Sequence, residues 1–481
     1  MRLGSASGKS EVAALSGVLP EGAVLTRQED LERYSRDWSG DHYGLPLAVA
    51  RPSSVDEVAA LLRHCRDARI PVVPQGGLTG LVGAAVAAPG GGEIVISFER
   101  MNRIRSISPI DFAMIVEAGC ILEEAKRAAD AQDCLLPITF GAQGSCRIGG
   151  NVSTNAGGFN VLRYGMTRDL VLGLEVVLSD GQIWNGLKVL RKDNRGYDLK
   201  QLFVGSEGTL GIVTAAALKL FPKPTQIETA WVGLQSVEHA MALYAHARRS
   251  CSDLLSAFEL ILRDGLEIAL NAGAGLNDPL SEVHPVYVLI ELSAGGRIDL
   301  RDVLENCLTE AGDIVADGVI ATSRAQGDRL WRYRETMVEA QGRGGPYLRT
   351  DVSVPISRLA EFVDAVLPML RARFPLALHL AYGHVGDGNV HLNVIPPPGM
   401  AAEEMASLFH AAEAIIFSVV DQLGGSISAE HGIGRVKQKA YVERADPVGL
   451  DLALRLKRAL DPTHLLSMGR ILPANLVHPE P

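Results

Sequence analysis

The stretch Tyr382-Gly383-His384-Val385-Gly386-Asp387-Gly388-Asn389-Val390-His391-Leu392-Asn393 carries two imidazoles around an Asp-Gly pair. Asp-Gly between apolar stretches is the signature of a two-residue β-hairpin turn. Folding the strands about it sets Gly386 opposite Asn389, Val385 opposite Val390, and His384 opposite His391. Directly opposed residues stand about 5 Å apart at Cβ on one face. Two imidazoles so placed can share a divalent cation, or can form a partly buried pair held by hydrogen bonds. Side chains alternate along a strand, so Tyr382 and Asn393 fall on the same face. A third imidazole follows a carboxylate in Ser428-Ala429-Glu430-His431-Gly432-Ile433-Gly434, a turn after a helix and a short strand. Neighbouring side chains at a turn diverge, so one can ligate while the other does acid–base work near neutral pH. A surface-loop histidine is the plainer alternative.

Two glycine-rich loops offer a different chemistry. In Pro74-Gln75-Gly76-Gly77-Leu78-Thr79-Gly80, the glycines can take positive φ and turn consecutive N–H groups toward one anion, and Thr79 adds a hydroxyl. The run Gly144-Ser145-Cys146-Arg147-Ile148-Gly149-Gly150-Asn151-Val152-Ser153-Thr154-Asn155-Ala156-Gly157-Gly158 offers further donors on a closely approachable backbone. A pyrophosphate with an attached ring system suits two such cradles, although ordinary glycine turns give similar spacing. Neither loop fits GxGxxG after a first strand or GxxxxGK[ST], so dinucleotide-fingerprint and P-loop readings are poor.

These groups must be positioned by a chain of 481 residues, long enough for two or three domains. With 47% hydrophobic and 21% charged residues it has the balance of a well-buried globular protein. A net charge of −10 argues against nucleic acid as a partner; an anionic small molecule would need local arginines. Six cysteines without a CxxC favour reduced thiols in a cytoplasmic protein. The Gly/Ser-rich segment Met1–Ser10 does not read as a signal peptide, and no apolar run approaches the roughly 18 residues of a transmembrane helix.

Residues 1–45 read as helix and loop. Ser54-Val55-Asp56-Glu57 is a capping box opening a helix to about Ala68, and Ile70–Val73 is a short strand leading into the first glycine loop. Strands follow at 93–98 and 112–118, and a helix at Glu123–Gln132. Residues 137–165 read as one long functional loop. Leu174–Trp184 reads as a hairpin turning at Asp180-Gly181, and Gly205–Gly211 precedes another apolar strand. Phe221-Pro222-Lys223-Pro224 is the best domain boundary. Beyond it, strands alternate with amphipathic helices at about 237–250, 299–311, 357–372 and 402–423. The expected architecture is α+β: a two-part domain carrying both glycine loops over 1–222, an antiparallel sheet with helices over 223–446, and a helical tail over 447–481.

Five segments taken in order, PVVPQGGLTGLVG, GSCRIGGNVSTNAGG, LFVGSEGTLGIVT, GHVGDGNVHLNV and SISAEHGIGR, resemble the vanillyl-alcohol-oxidase type of FAD-linked oxidoreductases. More narrowly they resemble its D-2-hydroxyacid dehydrogenases, over roughly residues 45–472. The resemblance implies that Pro74, Gln75, Gly76, Gly77, Leu78, Thr79 and Gly80 hold the FAD pyrophosphate. It places Gly144, Ser145, Gly149, Asn151, Ser153, Thr154 and Gly158 along the flavin, and Glu207, Gly208, Gly211, Ile212 and Val213 on the adenine side. Gln75–Leu81 contains no His, so the FAD is expected to be non-covalent. The resemblance makes His384, His391 and Glu430 ligands of a divalent metal, zinc or manganese, and His431 the general base. Leu330-Trp331-Arg332-Tyr333-Arg334-Glu335 is similar to the family's Trp-x-x-Arg-Glu stretch, which makes Arg334 a carboxylate clamp. Arg349, Tyr382 and Asn393 complete the expected substrate set.

Three departures from the pattern stand out: Val338 where the 2-hydroxyglutarate enzymes carry Thr, Arg349 where they carry Lys, and Ser467-Met468-Gly469-Arg470 in place of Asn-Pro-Gly-Lys. The expected activity is oxidation of a small D-2-hydroxy acid to its 2-keto acid. Electrons would pass to an electron-transfer flavoprotein or a quinone-type acceptor, and analogy suggests a homodimer. Alternatives within the superfamily are non-redox chemistry of the alkyl-glycerone-phosphate-synthase kind and a flavin-carrying subunit without its own substrate site.

Overall fold

The computed structural model describes residue 12, residues 14–273 and residues 275–477. Residues 1–11 and 13, part of the expected N-terminal helix and loop, lie outside the described residues, as does the end of the tail from 478. The chain forms two compact units. One comprises residues 1–157, 166–222 and 430–481; the other comprises residues 158–165 and 223–429. Among the described residues, no helix is long and apolar enough to cross a membrane.

The first unit holds two sheets and a small ribbon. Strands β1 (Val24–Leu25), β2 (Ala48–Ala50), β3 (Val72–Gln75) and β4 (Ile94–Ser97) lie in the order β1-β2-β4-β3, with β2 and β3 parallel to β4. The helix Val55–Asp67 covers this sheet with Val58, Leu61, Leu62 and Cys65. Its cap departs slightly from the capping box. Ser54 Oγ accepts from Glu57 N at 3.2 Å, but the Glu57 carboxylate accepts from Ser53 N and Ser53 Oγ, at 2.8 and 2.9 Å. Strands β5 (Ile104–Ser108), β6 (Ala113–Glu117), β8 (Val171–Val177), β9 (Ile183–Asn185) and β10 (Ile212–Lys219) form an antiparallel sheet in the order β5-β6-β10-β8-β9, with β7 (Cys134–Leu135) paired to β11 (Phe221–Pro222).

The expected long loop over 137–165 is corrected by a helix, Ile148–Thr154. Two adjacent glycines disfavour a helix on propensity. Tertiary packing overrides that, because a Cβ on Gly149 would stand 2.6 Å from the Ala118 Cβ. Asn155, in the left-handed conformation, closes the helix.

The tail is not a separate part. After the helix Pro447–Leu460, Leu466 bridges to Val72, and Lys457 Nζ donates to Thr209 O, Leu466 O and Asp461 Oδ2 at 2.8, 2.9 and 2.6 Å. Asp461 also accepts from Leu465 N and Leu466 N, both at 2.9 Å. Arg470 is buried against Glu93, with Nη1 to Oε1 at 2.5 Å and Nη2 to Oε2 at 3.0 Å. The departure at Ser467–Arg470 thus still supplies a buried cation.

The second unit is built on a seven-stranded antiparallel sheet. Its strands are β12 (Gln226–Leu234), β13 (Leu255–Leu262), β14 (Val286–Ala294), β15 (Asp317–Ile320), β16 (Leu348–Ser353), β17 (Leu378–His384) and β18 (Asn389–Ile395), in the order β15-β12-β14-β13-β17-β18-β16. Helices Val237–Cys251, Leu300–Glu310, Leu359–Arg373 and Ala402–Gln422 stand where the periodicity predicts, and Arg324–Gln341 adds a fifth long helix. Its Leu330, Tyr333 and Met337 join Trp231, Ile261, Tyr287 and Leu289 in one core. The short insert 158–165 belongs here because Arg163 donates to Ser293 O and, at 2.6 Å, to Ser293 Oγ.

Asp461→Ala leaves the Lys457 ammonium buried without its counter-charge. Breaking such a pair is expected to destabilise by about 3–5 kcal/mol, seen as a lower denaturation midpoint by circular dichroism.

Candidate active site

Pro74, Gln75 and Gly76 at the end of β3 meet Gly149, Gly150, Ser153 and Thr154 of the helix Ile148–Thr154. Glu207, Gly208, Ile212 and Val213 complete one cleft in the first unit, with Ala84, Ala85, Phe98 and Ala118 also in its lining. The glycines act differently from the expectation. Gly76, Gly77 and Gly80 do not take positive φ; Leu78 does, at 57°. Close approach is what requires glycine here, since a Cβ on Gly77 would stand 2.0 Å from Ser145 O. Gln75 is buried, and its amide donates to Tyr34 O and Ala85 O at 3.0 and 2.8 Å, so it shapes the loop.

Other expected cofactor residues stand off this cleft. Asn151 is buried, with its amide toward Cys146 Sγ at 3.7 Å, and Gly211 packs against Phe203 and Val176. Gly158 belongs to the second unit. Leu78, Thr79, Gly80, Gly144 and Ser145 do not line it either.

Glu207 does something the sequence did not disclose. Its carboxylate accepts from Ile433 N at 2.7 Å and Gly434 N at 2.8 Å. It thereby holds the turn after Glu430 and His431, where Gly432 has φ 82° and a Cβ would stand 2.6 Å from Glu207 Oε1. Burial pushes the Glu207 carboxyl up, and the two N–H groups oppose that push. Glu430 lies against the second glycine run, its Oε1 2.4 Å from where a Cβ on Gly157 would sit.

The second unit places the remaining expected residues on neighbouring strands. The hairpin differs from the two-residue turn read from Asp387-Gly388. The register sets Tyr382 opposite His391 and Leu380 opposite Asn393, and Val385–Asp387 form a short 3₁₀ turn closed by Gly388 at φ 78°. His384 at the strand end is therefore diagonal to His391. The two rings still approach, with centroids 5.6 Å apart and planes at 86°.

Each imidazole faces a buried carboxylate across the sheet. Glu259 pairs with His384 in register, and Glu259 Oε1 stands 2.5 Å from His384 Nδ1. Asp351 pairs with His391, with Oδ1 3.8 Å from Nδ1, and also accepts from Asn389 Nδ2 at 2.8 Å. The Glu259 carboxylate, at hydrogen-bond distance from His384 Nδ1, fixes the tautomer that leaves Nε2 with its lone pair, the arrangement found behind metal-ligating histidines. Asp351, 3.8 Å from His391 Nδ1, is a charged neighbour beyond hydrogen-bond reach. Donor chemistry thus fits a divalent metal at these two residues.

Arg334, nearly fully buried in the helix Arg324–Gln341, donates from Nε to Glu259 Oε2 at 3.1 Å. Its guanidinium carbon stands 4.5 Å from the Tyr382 ring centre and 5.5 Å from that of Phe159. Among the described residues no hydrogen bond engages its two Nη atoms, so the fork remains available for a carboxylate. Asn393 and Tyr382 hold each other: Asn393 Nδ2 donates to Tyr382 Oη at 3.1 Å and to Gln341 Oε1 at 2.6 Å. Asn393 Oδ1 in turn accepts from Thr350 N at 3.2 Å. Burial pushes the Tyr382 phenol up, against the pull of the Arg334 charge. Arg349 is paired with Asn393 in register, its guanidinium carbon 4.3 Å from the Tyr347 ring centre. Val338 packs against the core of this unit.

Glu259, Asp351, Phe159 and Gln341 were not singled out from the sequence. The available signal for Glu259 was one carboxylate inside the strand Leu255–Leu262, apolar but for Ser256 and buried throughout.

The profile described as "FAD linked oxidases, C-terminal domain" matches residues 223–471, and that described as "FAD binding domain" matches residues 46–186. The chain belongs to the FAD-linked oxidase family. A mitochondrial D-2-hydroxyglutarate dehydrogenase of Rattus norvegicus is 39% identical to it, over 97% of this chain and 85% of that one. The D-2-hydroxyglutarate dehydrogenase of Xanthomonas citri pv. viticola is 38% identical over 96% of both. In fold the chain is similar to 4-ethylphenol oxidase from Gulosibacter chungangensis, with a TM-score of 0.76 at 16% identity, covering 98% of this chain and 99% of that one. This member of the FAD-linked oxidases is an FAD-dependent dehydrogenase of the D-2-hydroxyacid branch, and its architecture is of the expected α+β class.

Gly77→Ala drives a methyl into the Ser145 carbonyl. The purified variant is expected to lose at least about tenfold in FAD affinity, about 1.4 kcal/mol, measured by flavin absorbance after desalting.

Proposed function

We propose that this protein oxidises a small D-2-hydroxy acid to the 2-keto acid, with non-covalent FAD and with a divalent metal, zinc or manganese, at His384, His391 and Glu430. The observation that carries this reading is the second unit's sheet face. There a guanidinium fork, an imidazole held at Nδ1 by Glu259 and a second imidazole stand together.

Arg334 binds the carboxylate through its Nη atoms and orients the acid. A ring nitrogen of His431 takes the hydroxyl proton. Arg349 offers a second cation for an acid with a distal anionic group; Val338 offers no hydroxyl to such a chain. FAD, when bound, would supply a two-electron acceptor, with N5 as the hydride-accepting atom; loss of the Cα hydride and the hydroxyl proton from the acid gives the keto acid. A metal held by the two imidazoles and Glu430 would supply Lewis acidity that eases loss of the hydroxyl proton. The residues between Gln75 and Leu81 offer no imidazole for covalent flavin attachment. Reoxidation by an electron-transfer flavoprotein or a quinone-type acceptor, and assembly as a homodimer, belong to the same proposal.

The test is anaerobic mixing of the yellow protein with D- and L-2-hydroxy acids, before and after chelation. D-acids are expected to bleach the flavin, and chelation to abolish bleaching. If no acid bleaches it, the dehydrogenase reading gives way to non-redox or carrier roles. His431→Ala is expected to slow bleaching by about 10²–10⁴-fold with FAD retained. Arg334→Lys, which loses the fork, is expected to raise KM more than it lowers kcat. If His431→Ala leaves the rate unchanged, the base assignment falls.

A further inference from the structure

We propose that Glu259 is a positioning residue that serves both halves of the substrate site at once, aligning His384 for metal and Arg334 for the substrate carboxylate. The inference rests on the roles proposed for His384 and Arg334.

Glu259 is fully buried in the middle of β13. Its two oxygens face different elements. Oε1 stands 2.5 Å from His384 Nδ1 at the end of β17, and Oε2 accepts from Arg334 Nε at 3.1 Å on the helix Arg324–Gln341. A carboxylate away from water keeps its charge only if donors replace the lost hydration. Here the replacements are the proposed metal ligand and the proposed anion clamp, and each is constrained in return.

The Glu259 oxygen beside His384 Nδ1 calls for the ring proton there, so Nε2 presents a lone pair. On Arg334, engagement through Nε leaves the Nη pair as the open edge. Phe159 reinforces both placements. Its ring centre stands 5.4 Å from that of His384, at 73°, and 5.5 Å from the Arg334 guanidinium carbon. A core built only for stability would not need a charge here, since the other seven residues of the strand are buried without one. Asp351 stands behind His391 but makes no such second link to Arg334 among the described residues.

The test uses the FAD-loaded, metal-stripped protein and Glu259→Gln. Two affinities are measured separately: Zn²⁺ alone, by competition with a chromophoric chelator, and pyruvate or 2-oxoglutarate without metal, by perturbation of the flavin spectrum. Glu259→Gln is expected to weaken both by about tenfold or more, with FAD content unchanged. His384→Ala should weaken only the zinc affinity, and Arg334→Met only the keto-acid affinity. If either affinity survives Glu259→Gln, the shared-anchor assignment is overturned. If wild type itself binds no zinc, the metal reading fails instead.

Should Glu259→Gln not fold, the wild type still decides. A far-downfield proton on His384 Nδ1, observed with ¹⁵N-labelled histidine and absent in His384→Asn, supports the short contact with Glu259. No such resonance overturns it.

Discussion

Taking a carboxylate out of water costs several kcal/mol unless hydrogen-bond donors replace the lost hydration, and this protein does so repeatedly at places that define the fold. Glu93 is met by Arg470, Asp461 by Lys457 and two backbone amides, Glu207 by the amides of Ile433 and Gly434, and Glu259 by Arg334 and His384. Most of these partners lie far away in sequence. Glu93, Glu207 and Glu259 therefore each select one arrangement of distant segments, because any other leaves the carboxylate unpaired, while Asp461 pins its own local turn. Apolar burial supplies the bulk of stability, but it is non-directional. The charged pins decide which turn meets which loop.

The same constraint explains the interrupted domain order. The chain leaves the first unit at Pro222, builds the seven-stranded sheet, and returns at residue 430. The returning segment carries Glu430 and His431. Glu207 fixes it at one end of the turn, while Lys457, Asp461 and Arg470 tie down the remainder of the segment. In the second unit the antiparallel register does comparable work, setting Glu259 beside His384 and Asp351 beside His391. Helix Arg324–Gln341 then needs only to place Arg334 over that face.

Glycine serves two purposes in the flavin loops. The sequence suggested conformational freedom at Gly76, Gly77 and Gly80. The structure uses Gly77 for its lack of a side chain, letting two loops touch backbone to backbone, and gives the left-handed conformation to Leu78. Both uses look alike in sequence, since the glycine that relieves a clash and the glycine that relieves a dihedral are the same letter.

The sequence by itself determined most element types, the break near Pro222 and the two glycine loops, and it named the residues proposed for the site. Those depend on local properties: periodicity, capping by Ser54, and turn residues at fixed offsets. It placed His384 and His391 in one hairpin but missed the register, because Asp-Gly admits more than one loop length and only pairing with β13 and β16 selects among them. It read 137–165 as loop because propensity opposes a Gly-Gly helix and packing against Ala118 cannot be seen locally. The tasks of Glu207, Glu259 and Asp351 were decided only by tertiary structure. A carboxylate's role is set by the donors that reach it, and here those donors come from segments that only the fold brings to it.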